Sequence, residues 1–175
     1  KYKKALEKFI LKNKIYVICL NTTDSISNSL INLRVACHPL RIVSDALFHN
    51  NSKNDLAVPA SMMTRKIYDS IKQKNKKIFD YGLSIQSKNS IIIKKNYCVL
   101  PKPLAVGYSI AIAISGKANR IFLAGFDGYK IDDPHNDETN QIFEILKKKY
   151  SKNFIVSLTP TKYNIKYKTI NSLKL

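Results

Sequence analysis

Residues 103–129 read PLAVGYSIAIAISGKANRIFLAGFDGY. Positions 104–115 are almost entirely apolar, and a helix that is apolar all round has to be buried. Gly116 stops it, because glycine readily takes the backbone conformation that ends a helix. Positions 120–124 then form a short apolar run, the signature of a strand covered on both faces. The loop Gly125-Phe126-Asp127-Gly128-Tyr129 closes that strand. A buried helix feeding a buried strand belongs to a sheet whose neighbours run parallel and are joined by helical crossovers.

The same alternation extends outward. Ala5, Leu6, Phe9 and Ile10 have helical spacing within residues 2–11, with Asn13 as the stop. Residues 15–20 read as a strand buried on both faces, followed by the polar loop Asn21-Thr22-Thr23-Asp24. Residues 33–37 form a second strand, and His38-Pro39 opens a helix through Phe48. After a turn-like stretch at 49–55 come a third strand at 56–58 and a helix capped by Ser61 that runs to Gln73. Residues 78–83 and 90–93 are strand candidates with no assigned pairing, and 98–100 is a strand end before the loop 101–103. A helix at 139–150 carries Ile142, Phe143, Ile145 and Leu146 as its stripe. The last strand, 154–158, ends in Thr159-Pro160-Thr161. This pattern predicts one α/β domain over residues 1–175, Rossmann-like, with a mainly parallel sheet and helices on both faces. Ligands of such sheets bind at the carboxyl ends of the strands, so Asn21, His38, Pro103, Asp127 and Thr159 are expected on one rim.

The chain opens on a helix, where a doubly wound domain ordinarily opens on a strand and a glycine-rich turn, and it contains no GxGxxG or GxxxxGK. The expectation is the remainder of a longer protein, without its first strand and phosphate loop.

The formal charge is +18 over 175 residues. Clustered cations neutralise phosphates, yet only Arg34, Arg41, Arg65 and Arg120 offer bidentate forks and no nucleic-acid motif accompanies them. A solvated basic surface is the preferred reading over nucleic acid, and an acidic small ligand gains from the same field. Cys19, Cys37 and Cys98 sit in apolar runs without CxxC spacing and read as small buried hydrophobes. No apolar run reaches the ~20 residues of a membrane span. Lysines crowd the first residues and no cleavage site follows, so the expected location is cytoplasmic.

Six positions at or near strand ends can contact a ligand. Asn21 can read a nucleobase edge or a ribose hydroxyl, with Thr22 beside it, and turn chemistry explains both equally well. His38 suits a base or sugar, or is simply a helix-start histidine. Asp127 can accept from a ribose or from backbone amides, or cap its own turn, while Tyr129 can donate to a phosphate oxygen. His135 stands among Asp132, Asp133, Asp137 and Glu138, which favour imidazolium and suit a general acid or base. Asp132 and Asp133 could instead hold a divalent cation, and the plain alternative is a solvated loop whose acids complement the next helix dipole.

Residues 103–129 resemble the helix–strand–loop core of bacterial lipooligosaccharide sialyltransferases and of the related archaeal 6-hydroxymethylpterin diphosphokinase-like motility accessory factors. ACHPLR at 36–41, AISGKANRIFLAGFDGY at 113–129 and SLTPTKY at 157–163 together look like the C-terminal domain of aldolase-like proteins encoded with surface-polysaccharide genes. There the domain follows a TIM-barrel lyase-like domain. The second resemblance covers nearly the whole chain; the first is patchier. The sialyltransferase resemblance implies a cytidine nucleotide or nucleotide sugar on the rim, contacted at Asn21, His38, Pro103 and Tyr129, with His135 as catalytic base; Thr22, Asp127, Thr159 and Thr161, in the strand-end loops, complete the candidate contacts. Pro103-Leu104-Ala105 stands where the sialyltransferases carry Thr-Ser-Gly, and His38 stands where they carry a second Asn. The implied function is a glycosyltransferase-like domain of a surface-polysaccharide biosynthesis protein. The alternative is a noncatalytic accessory of an aldolase-like domain in the same polypeptide.

Overall fold

The short apolar runs become short strands. In the computed structural model, which describes residues 2–130, 132–151 and 153–173, β1 (Ile18–Leu20), β2 (Leu33–Val35), β3 (Leu56–Val58) and β4 (Ile78–Asp80) form a parallel sheet in that order. In a second sheet, β7 (Tyr97–Leu100) lies between β5 (Gly82–Ile85), parallel to it, and β6 (Ile92–Ile93), antiparallel to it. A third holds β8 (Ile121–Leu123), β9 (Ile155–Ser157) and β10 (Lys166–Tyr167) in the order β10-β9-β8, all parallel.

The first two sheets meet at one residue. The Tyr81 amide donates to the Val58 carbonyl at 3.1 Å, and the next amide, Gly82, donates to Asn96 at 2.8 Å. Residues 78–85 are therefore one bent strand that leaves β3 and joins β7. This gives residues 78–83 and 90–93 the pairing their sequence left open.

Helices cover both faces of the first sheet. Along β2 and its extension, Leu33, Val35 and Cys37 point into the larger core, under α5 (Ala105–Ser115) and α6 (Pro134–Lys149). Ala36 points the other way, into a smaller cluster with Leu56, Val58, Ile42 of α2 (Pro39–Ser44) and Ile71 of α4 (Arg65–Ile71), against which Ala46 of α3 (Ala46–Asn51) packs. Two-sided burial is why β3 is wholly apolar and β2 is apolar apart from Arg34, rather than alternating. The Ser115 hydroxyl at the end of α5 donates to Lys95 at 2.8 Å, just before β7 begins, so α5 runs antiparallel to β7 and β8 returns in the strand direction. The first helix, α1 (Lys3–Asn13), sets Phe9 edge-on against Phe122 of β8, ring centres 5.7 Å apart.

Several boundaries differ from expectation. β1 is only half-buried, because no strand among the described residues pairs with its outer side. The helix expected at 39–48 breaks at Asp45, although Asp45 and His49 still donate to carbonyls four residues back. Ser61 does not cap a helix: it sits in a single 3-10 turn, held by Asp80, and Thr64 caps α4 instead. α6 begins at Pro134 rather than at Thr139, since Asp133 accepts from the His135 amide and the proline fits the first helical turn. Of the acidic residues that looked like loop, Asp133 is thus its cap and Asp137 lies in its first turn. No helix among the described residues is long and apolar enough to cross a membrane.

Candidate functional site

The carboxyl ends of the strands are tied to one another by successive contacts. The Asn21 amide, past the end of β1, donates to Val35 at the end of β2 at 2.8 Å. The Cys37 thiol donates to the Pro103 carbonyl at 3.6 Å, joining the β2 end to the loop before α5. Lys102 of that loop pairs with Glu138 of α6 at 3.2 Å. Tyr129, after β8, donates its amide to Asn136 at 2.9 Å, and the Gly125 amide donates to the Thr159 hydroxyl beyond β9 at 2.9 Å. Loops remote in sequence therefore share one rim.

The densest part is the start of α6. His135 Nδ1 lies 2.7 Å from Asp133 Oδ1, which also accepts the His135 amide at 2.9 Å. That amide, then the ring, hold the Asp133 carboxyl below its usual range. The Tyr129 ring leans over the imidazole, centres 5.1 Å apart. A carboxylate on Nδ1 fixes the tautomer and leaves Nε2 as proton acceptor. Alongside lies a polar cavity of about 330 Å³ lined by Asp132, Asp133, Asn136, Asp137, Asn140 and Lys162. Lys162 donates from its ammonium to the Tyr129 carbonyl at 3.2 Å and from its amide to the Asp127 carbonyl at 3.1 Å. Carboxylates outnumber ammonium groups in this lining, so it favours hydroxyls over phosphate oxygens.

The remaining candidates divide by what their side chains already do. The Thr161 hydroxyl serves its own loop, accepting from Tyr163, and the Thr159 hydroxyl is taken by Gly125 in the loop after β8. Asp127 is exposed, and its carboxylate takes no hydrogen bond among the described residues. His38 is exposed at the start of α2 and makes no side-chain cap. Thr22 and Pro103 are half-buried, and Asn21 holds a left-handed φ of 48°, which asparagine tolerates. No three histidine, cysteine, aspartate or glutamate side chains among the described residues are grouped to share a metal ion, Asp132 and Asp133 included.

Sequence reasoning missed Arg34 and Lys162. Arg34 is 1% exposed. Its guanidinium donates to the carbonyls of Asn21 and Thr23 at 3.3 and 3.0 Å, to Asp24 at 2.8 Å, to Asn28 at 2.7 Å and to Asn54 at 3.2 Å, and it lies 4.9 Å over the Phe48 ring. It thereby builds the loop that presents Asn21. An arginine inside an apolar strand was the available signal, since burying its charge requires this many acceptors.

No protein-family model matches the chain, and neither a curated protein nor a solved structure matches it.

Proposed function

We propose that the chain is a Rossmann-like, glycosyltransferase-like domain of a surface-polysaccharide biosynthesis protein that binds a nucleotide-activated sugar on this rim. The observation that carries the reading is the Asp133–His135 pair, with the Tyr129 ring tilted over it, beside the polar cavity. His135 Nε2 takes the proton of an acceptor hydroxyl, whose oxygen attacks the anomeric carbon. The bond from that carbon to the phosphate oxygen breaks, and the nucleotide leaves with the electron pair. The acidic lining directs sugar hydroxyls into the cavity, so the nucleotide lies toward Asn21, Thr22, His38 and Pro103, with Asp127 and Tyr129 between. The same reading gives the domain an aldolase-like neighbour in its polypeptide and a cytoplasmic location.

Two strand margins support the finer fold. Among the described residues neither β1 nor β8 has a partner on its outer side, and α1 bridges them, Phe9 touching β8 and Glu7 accepting from Ser27 at 2.8 Å. α1 turns into β1 through a short link, so it begins at the carboxyl rim. A parallel strand between β1 and β8 would hand over to α1 in a right-handed crossover and carry its own phosphate loop to the rim. The segment before Lys1 is our candidate for that strand.

Isothermal titration of the intact protein with cytidine and uridine nucleotides and their sugar conjugates tests the reading. Micromolar binding of a cytidine compound is expected, retained in His135→Ala while transfer to an acceptor is lost. Silence across the panel overturns it.

A further inference from the structure

We infer that the outer surface of the α2–α4 layer docks on an anionic membrane surface. Leu40 and Leu47 are 75% and 76% exposed, and Val43 between them is 50% exposed. Leu40 and Val43, three residues apart, share one side of α2, and Leu47 lies on α3, beyond the break at Asp45. Met62, in the turn between β3 and α4, is exposed on the same layer. The inner sides of these helices are spent on Ile42, Ala46, Ile67 and Ile71, so among the described residues these exposed aliphatic side chains have no partner.

The charges on this layer select the occupant. Arg41 and Arg65 are paired with Asp45 and Asp69 at 2.9 Å. Lys53, Lys66, Lys72, Lys74 and Lys77 are exposed on this layer, and none forms an ion pair among the described residues. Aliphatic side chains amid unpaired lysines meet the two requirements of an interfacial site: apolar groups for the acyl boundary and cations for acidic headgroups. This aliphatic set is also too small for a stable protein interface, which engages roughly 20–30 residues a side.

Vesicle flotation of the full chain tests the inference. Binding is expected to phosphatidylcholine vesicles containing about one-third phosphatidylglycerol, not to phosphatidylcholine alone, and to weaken as salt screens the lysines. Leu40→Asp with Leu47→Asp should cut partitioning about tenfold or more. Equal binding to both vesicle types, or binding that ignores the double substitution, overturns it. So does a dimer in sedimentation equilibrium that the double substitution dissociates, which would make a second copy the occupant. Should the double variant fail to fold, Leu47→Trp provides a single fluorophore in a chain without tryptophan. A blue shift on adding anionic vesicles is expected; an unmoved emission maximum overturns the inference.

Discussion

Cys37 Sγ stands 3.6 Å from the Pro103 carbonyl, a contact across 66 residues that fastens the end of β2 to the loop before the buried helix α5. Burial pushes the Cys37 thiol up to about 12, and burial again, with Cys37 nearby, does the same to Cys98. Thiolate is the reactive form, so both should alkylate on the order of a thousandfold more slowly in the native chain than in the unfolded one. Half-buried Cys19, raised by burial, should be modified first. Mass mapping of alkylated peptides near neutral pH reads this; early labelling of Cys98 would contradict the packing.

His49 is 1% exposed, and among the described residues neither ring nitrogen has a hydrogen-bond partner. Burial, with the Lys76 ammonium beside it, lowers its pKa from 6.5 to about 4. The folded state favours the neutral ring, so its contribution to stability is full above about 6.5 and is lost as pH falls toward about 4. The loss should amount to about 3 kcal/mol. Lys76, whose ammonium donates to the His49 carbonyl, is lowered to about 8 by burial and then by Arg34, so it too folds better deprotonated, and stability should rise between about 8 and 10.5. Urea titrations of wild type and His49→Leu compare the two: the variant should be the more stable near pH 7 by about 1–2 kcal/mol, and its acid slope should be flatter. Identical slopes would mean that His49 is hydrated.

Arg34→Met leaves the carbonyls of Asn21 and Thr23 and the side chains of Asp24, Asn28 and Asn54 without their donor. Loss of one partner from a buried ionic network costs about 3–5 kcal/mol. Arg34→Lys should recover little, because one ammonium cannot reproduce a planar fork with five donors. Chemical denaturation gives the magnitude, and hydrogen exchange should show faster exchange at residues 21–28. A loss below 1 kcal/mol would remove Arg34 from the role of loop organiser.

Gly128 has a φ of +100°, and a Cβ there would meet Lys162 Cβ at 3.1 Å, whereas Gly125, at +76°, has open space around the same position. Both alanine variants carry backbone strain of about 1–2 kcal/mol. Gly128→Ala should cost more, because Lys162 must also move, and it should disturb the Tyr129–His135 ring contact. Melting temperatures rank the pair, and the imidazole proton shifts report that contact; a larger cost at Gly125 would contradict the loop geometry.

The strands at 33–35, 56–58, 121–123 and 155–157 were legible because burial on both faces leaves them apolar but for Arg34 and Ser157, and α5 because it is apolar nearly all round. α6 was truncated in the sequence reading: Asp137 and Glu138 resemble a loop until Asp133 is seen to accept the His135 amide. The bend at Tyr81 was invisible, since no residue marks a strand that changes partners. The rim was foreseen from topology, but which groups on it remain free was not. The Thr159 hydroxyl is committed to Gly125, a pairing across 34 residues that no local pattern encodes.

Left without an added strand, the outer margins of β1 and β8, open among the described residues, have a colloidal side. Unsatisfied backbone donors and acceptors invite growth from one molecule to the next. What opposes this is the repulsion of a chain carrying +18 charges. Charge rather than shape keeps neighbouring molecules apart, so concentrated salt, by shortening the reach of those charges, should turn a clear solution turbid.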